Sequence, residues 1–196
     1  MAAIEAIETV CLESEATSVL FEDNFSSYKH LQLRFNAASD SNYDNSYNNA
    51  GHYREFCWMY FNTTSQTSNS DYRNHWINVR EGTSTADDFV SHKMSIPWCA
   101  GTFRATVFYG QAVVDIMDHT SSTKNTSILA TTLSVMTPWN RATNTPTSSK
   151  AISLVGGVWN NDDAITKILL MPDLGTNWRR GSVFTLYGIK ATDSEA

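Results

Sequence analysis

The chain is short of charge, of basic residues and of any long apolar run, and each shortage removes a class of function. Only 17% of its 196 residues are charged. Fourteen Lys and Arg against twenty Asp and Glu leave a formal charge of −6, opposite in sign to the clustered cations with which a sequence-independent nucleic-acid binder neutralises phosphates. Arg179-Arg180 is the one basic pair, so no nucleic-acid partner is expected. No stretch approaches the roughly 18 consecutive apolar residues that span a bilayer. Met1 to Leu12 carries Glu5 and Glu8 where a secretory leader is basic. The expectation is synthesis in a cytoplasm, without membrane insertion.

Three cysteines, Cys11, Cys57 and Cys99, cannot all pair within one chain, and none stands in a Cys-x-x-Cys arrangement. They read as free thiols acting as small buried hydrophobes. Asn24-Phe-Ser26, Asn62-Thr-Thr64 and Asn125-Thr-Ser127 match the glycosylation sequon, which carries no weight without a secretory signal.

Catalytic spacing is missing too. His30, His52, His75, His92 and His119 are scattered, with no His-x-x-x-His pair and no neighbouring cysteine cluster. There is no Gly-x-Ser-x-Gly elbow, and Gly156-Gly157 opens no helix and precedes no Lys. The densest acidic group, Asp115-Ile-Met-Asp-His119, places Asp115 on one strand face with Val113 and Met117, while Asp118 and His119 open a turn. Asp162-Asp163 also reads as turn chemistry. No catalytic residue, metal ligand or cofactor is expected.

What is present is Ser, Thr and Asn in abundance and 12% aromatic residues, including six Trp and eight Tyr, a balance that suits strands joined by hydroxyl-rich loops. No window holds a helical period over three turns. Short runs alternating at period two recur instead. Ile4 to Leu12 and Thr17 to Phe21 read as an opening strand pair across the acidic turn Glu13-Ser-Glu15. In Tyr28 to Phe35, Leu31, Leu33 and Phe35 face one way and His30, Gln32 and Arg34 the other, predicting one core side and one wet side. Further strands are expected at Tyr53 to Phe61, Arg73 to Glu81, Phe89 to Ile96, Phe103 to Met117 with a bend at Gly110, Ile128 to Met136 and Ile152 to Trp159. A closing hairpin follows, Ala164 to Met171 and Val183 to Ile189. About ten strands at these spacings predict an all-β, antiparallel two-sheet sandwich of jelly-roll type. Residues 1–196 form one domain, with 1–16 as an N-terminal arm or edge strand used in assembly.

Trp58, Trp76 and Trp98 lie in or beside strand patterns and read as core or sheet-face residues. Two long polar loops, Asn36 to Gly51 and Trp139 to Ser149, present Tyr43, Tyr47 and Trp139 among Asn and Thr. Such aromatics, flat and flanked by hydrogen-bonding groups, are the candidate contacts to a receptor or a partner chain.

Several ordered motifs resemble those of a family of bacteriophage virion proteins met as tail-fibre or minor structural components. These are Thr17-Ser-Val-Leu-Phe21, Ser27-Tyr-Lys-His-Leu-Gln-Leu-Arg34, Ala100-Gly-Thr-Phe103 before Ala112-Val-Val-Asp-Ile-Met-Asp118, Gly157-Val-Trp-Asn160, Ala164-Ile-Thr-Lys-Ile168 and Gly181-Ser-Val-Phe-Thr-Leu-Tyr-Gly-Ile-Lys190. Phe56-Cys-Trp-Met-Tyr60 and the Asn/Tyr loop before it are richer in large aromatics than that family. The resemblance implies a non-enzymatic part of the virion, in a tail or tail fibre, that assembles as a homo-oligomer, a trimer or hexamer. Its partners would be copies of itself, other virion proteins and a host surface glycan. A capsid decoration or cement protein is the alternative within that class, and a carbohydrate-binding module or depolymerase domain the alternative outside it.

Overall fold

The computed structural model describes residues 4–22, 25–40, 50–51, 54–63, 71–80, 83–100, 102–103, 106–107, 109–136, 139–140, 145–146, 149–173 and 175–190. Among them there is no helix. The first strands are β1 (Ile4–Cys11), β2 (Val19–Glu22), β3 (His30–Ala37), β4 (Ala50–Gly51), β5 (Arg54–Phe61), β6 (Tyr72–Arg80), β7 (Thr83–Ser91), β8 (Met94–Ala100) and β9 (Thr102–Phe103). They are followed by β10 (Thr106–Val107), β11 (Gly110–Met117), β12 (Thr126–Met136), β13 (Trp139–Asn140), β14 (Thr145–Pro146), β15 (Ser149–Trp159), β16 (Lys167–Pro172) and β17 (Val183–Ile189). Twelve of these form two antiparallel sheets, one ordered β1-β17-β3-β11-β12-β15-β6-β7 and the other β2-β16-β5-β8. The all-β, two-sheet expectation holds, with more strands than the ten expected.

Alternation builds the core where the pattern predicted it. On β3, Leu31, Leu33 and Phe35 are buried while Arg34 is exposed and His30 and Gln32 are half-buried. On β11, Ala112, Val114 and Ile116 point in, and Asp115 shares the outer face with Val113 and Met117. These meet Phe21, Met59, Ile96, Ile168 and Leu170 from the smaller sheet in one apolar cluster. Each fully buried side chain of this size contributes about 1.5–3 kcal/mol.

Two of the motifs that carried the resemblance are neighbours in space. Ile189 pairs with His30, Gly188 with Leu31 and Tyr187 with Gln32, and Lys29 N–H donates to Ile189 O at 3.1 Å. The Tyr28 ring lies so close to Gly188 that a Cβ there would overlap it. The Tyr28 hydroxyl reaches Glu5 Oε2 at 3.0 Å, and Lys190 Nζ reaches Glu5 Oε1 at 3.1 Å, tying the edge strand β1 to its neighbour.

Five expectations are corrected. The closing hairpin does not form: β16 pairs with β2 and β5 in the smaller sheet and β17 with β1 and β3 in the larger, because the loop between them, with Trp178 buried in the core, crosses from one sheet to the other. Ile4–Leu12 and Thr17–Phe21 do not pair: β1 joins β17 and β2 joins β16, in different sheets. The acidic turn is a crossover, held by Leu12 N–H to Ser182 O at 2.9 Å and a bridge between Ala16 and Trp178. Phe103–Met117 is not continuous: β9 and β10 pair with each other, and Gly110 begins β11 instead of bending it. Phe89–Ile96 divides between β7 and β8, and β8 runs on through Pro97. An edge strand tolerates proline because its outer N–H has no ladder partner to lose. Of the thiols, Cys57 is buried but Cys11 is exposed, on a strand with a neighbour on one side only. The Cys99 side chain lies outside the described residues.

Candidate interaction surface

The outer face of the eight-stranded sheet carries the largest chemical anomaly among the described residues. Strand registers fix which residues stand side by side there. One row across β3, β11, β12, β15, β6 and β7 reads Asn36, Gln111, Leu133, Ile152, Val79, Ser84. The next reads Arg34, Val113, Thr131, Leu154, Ile77, Ala86. A third reads Gln32, Asp115, Leu129, Gly156, His75, Asp88. A fourth holds Met117, Ser127, Val158, Arg73 and Val90. Nine aliphatic side chains on this face are 38–60% exposed, and they adjoin one another instead of being scattered. Isolated exposed aliphatics are ordinary, but a contiguous patch of several hundred Å² marks a surface that something covers. Two shallow depressions, of about 300 Å³ beside Arg34, Gln111 and Val113 and about 150 Å³ beside Thr131 and Leu133, lie on the same face.

The inner face beneath this patch is polar where a core side is expected to be apolar. Asn78, Thr132, Ser134 and Ser153 are buried, and the hydroxyls of the last three have no hydrogen-bond partner among the described residues. Period-two spacing locates the strands, but it does not reveal that β6, β12 and β15 turn aliphatic residues outward at this end.

Polar groups frame the patch. Asp115 Oδ1 accepts from Gln32 Nε2 at 2.7 Å, Gln32 Oε1 accepts from Arg34 Nε at 2.7 Å, and the Arg34 guanidinium lies 4.8 Å from the Tyr187 ring centroid. Asp118, with a φ of 52°, sits in the turn expected of it, and its N–H donates to His30 Nδ1 at 3.0 Å. His119 is buried, with Nε2 3.0 Å from Phe25 O and Nδ1 3.2 Å from Lys29 O. Burial lowers its pKa below the usual imidazole value, against the opposing pull of those two carbonyls. The residues of the Asp115–His119 segment therefore anchor strand ends. Asp163 N–H donates to Asn161 Oδ1 at 2.8 Å, the local turn bond expected there. No cluster of three His, Cys, Asp or Glu able to hold a metal occurs among the described residues.

Of the residues nominated from sequence, Tyr43 and Tyr47 lie outside the described residues, as does the Trp139 side chain. The backbone nevertheless brings the two nominated loops together. Trp139 pairs with Gly51 and with Pro146, and Asn140 with Ala50, in a small sheet ordered β14-β13-β4. Trp76 is half-buried against the core, 5.6 Å from Phe56 between ring centroids, and Trp58 is half-buried with Lys93 Nζ over its ring. The Trp98 side chain lies outside the described residues. Sequence reasoning passed over Trp178, which lies in a polar loop yet is fully buried, 5.3 Å from Phe184 and donating to Leu170 O at 3.3 Å. It also passed over Glu55, a buried carboxylate that accepts from Ser39 Oγ, Phe56 N–H, Asp173 N–H and Gly175 N–H at 2.6–3.0 Å.

Comparison of the chain with protein-family models, with curated proteins and with solved structures finds no match in any of the three.

Proposed function

We propose that this chain is a non-enzymatic structural protein of a bacteriophage virion: a jelly-roll-like sandwich in a tail or tail fibre, assembled as a homo-oligomer and contributing to host attachment. The observation that carries the reading is the aliphatic outer face of the large sheet, a surface suited to a chain that works packed against other protein. The ordered motif resemblance supplies the virion context. The pairing of His30–Leu33 with Leu186–Ile189 gives those motifs a shared physical purpose beside the edge strand β1. On this reading the joined loops at Ala50–Gly51 and Trp139–Pro146 form the receptor-facing end.

Quantitative mass spectrometry of purified particles tests the reading. A few trimers or hexamers per particle support the tail, whereas hundreds of copies would move the chain to the shell as a decoration protein. Absence from purified particles, together with release of reducing ends from a host polysaccharide by the isolated chain, would replace the proposal with a carbohydrate-active domain.

A further inference from the structure

We infer that the outer face of the eight-stranded sheet mates with the same face of a second copy of this chain, about a two-fold axis lying between β12 and β15 and parallel to them. This rests on the reading of the chain as an assembled structural part and names the surface and the partner.

The aliphatic columns are centred between β12 and β15, with β11 and β6 next on either side and β3 and β7 beyond. A two-fold axis there sets β12 against the partner's β15, β11 against the partner's β6 and β3 against the partner's β7, while preserving rows along the strands. Several of the contacts this makes are complementary, although Gln111 also meets Val79 and Met117 meets Arg73. Leu133 meets Ile152, and Val113 meets Ile77. Leu129 faces Gly156, where nothing lies within 4 Å of the space a Cβ would take, so a leucine on one copy enters a gap on the other. Asp115 faces His75. Gln32 on β3 faces Asp88 on β7, with Arg34, one row along, opposite to Asp88 in charge although neither charge was used to place the axis.

The size fits as well. Six strands about 4.8 Å apart and four outward rows about 6.8 Å apart cover a patch on the order of 800 Å², near the 800 Å² per partner of a standard stable interface. An apolar centre with a polar frame is the usual anatomy of such a contact, and two sheets stacked face to face keep their strands nearly aligned. Of the two oligomer numbers expected from the sequence, a hexamer of dihedral symmetry contains such axes.

Sedimentation equilibrium of the full chain at about 50 μM tests the inference. The expected result is a dimer or an even multiple of it. Leu154→Asp and Gly156→Phe should each weaken association at least about 100-fold, roughly the loss of one interface hot spot, while leaving the circular-dichroism melt of the protomer in place, since both positions face outward. Asp88→Arg should weaken association, and Arg34→Asp in the same chain should restore it. Within one copy those residues are five strand spacings, about 24 Å, apart, so rescue reports contact between copies. A wild-type chain that stays monomeric, or association indifferent to Leu154→Asp and Gly156→Phe, overturns the inference, and a trimer lost with the same variants overturns the two-fold axis. Monomeric chain in solution that is nonetheless found in purified particles would overturn this inference and leave the virion proposal standing. A dimer formed by a chain absent from particles would do the reverse.

Discussion

Replacing Glu55 should cost more stability than any other single polar substitution among the described residues, because one buried carboxylate fastens a loop that carries a core tryptophan. Its Oε2 accepts from Ser39 Oγ at 2.6 Å and Gly175 N–H at 2.8 Å, and its Oε1 from Phe56 N–H at 3.0 Å and Asp173 N–H at 2.9 Å. Glu55 itself is fully buried. Glu55→Ala removes an acceptor shared by four donors, of which Asp173 N–H keeps Phe56 O at 3.0 Å, at about 1–3 kcal/mol for each donor that finds no other acceptor before water enters. A net loss of at least about 4 kcal/mol is expected, a large part of the 5–15 kcal/mol that holds a domain together. Glu55→Gln is the sharper test. Its carbonyl can serve Phe56 and Asp173, and Ser39 can turn to accept, but the new amide donor then meets the Gly175 N–H. One charge-assisted bond is lost, worth about 2 kcal/mol. Urea unfolding at fixed protomer concentration, followed by tryptophan fluorescence with Trp178 as the local reporter, measures both. A Glu55→Gln variant within about 0.5 kcal/mol of wild type would refute the claim that the carboxylate's charge fastens the loop.

Gly188→Ala should destabilise by about 1–3 kcal/mol through overpacking against the Tyr28 ring, and the same change in a Tyr28→Ala background should cost much less, as a double-mutant cycle of melts would show. His119 makes stability pH-dependent. Its folded pKa is lowered by burial, so the unfolded chain takes up the proton first, and the contribution is whole above the unfolded value near 6.5 and lost as pH falls through the folded one. His119→Gln should flatten the stability profile in that window, measured by denaturation from about pH 7 down to pH 5. Trp139→Ala should lower adsorption of particles that still assemble; unchanged adsorption removes that residue as a receptor contact.

How much of this was legible from sequence depended on whether the signal was local. β3 was readable residue by residue because every second side chain is apolar and the faces do not change along the strand. Pairing was not readable where a short polar link could equally be a hairpin or a crossover, as at Glu13–Glu15, because loop length and composition are alike in the two cases. Trp178 and Glu55 were invisible for a related reason. Each looks like its neighbours in the sequence, and each is buried by a partner more than a hundred residues away or in the other half of the chain, Ala16 and Ser39 for Trp178 and Asp173 and Gly175 for Glu55. The nominated loops were placed in register by backbone pairing that no periodicity encodes, since two-residue strands such as β4 and β13 are too short to show one.

The reversal within β6 and β15 bears directly on whether the outer face is covered. A one-residue slip would turn every side chain of a strand over, so the same strands could in principle bury Ile77, Val79, Ile152 and Leu154 and expose Asn78 and Ser153. The opposite ends of those strands forbid it, because the slip would also expel Tyr72, Val155 and Trp159, which are 0–3% exposed in the core. Neither register satisfies both ends within a single copy. One end needs its apolar side against the smaller sheet, and the other needs its apolar side against something beyond the chain. A sheet patterned this way is locally inconsistent as an isolated protomer and consistent once its outer face is packed. Mutating the outward aliphatics Ile77, Val79, Ile152 and Leu154 to Thr should therefore leave protomer stability within about 0.5 kcal/mol per site while abolishing assembly. A protomer that unfolds instead would show that those side chains already have their cover within the chain.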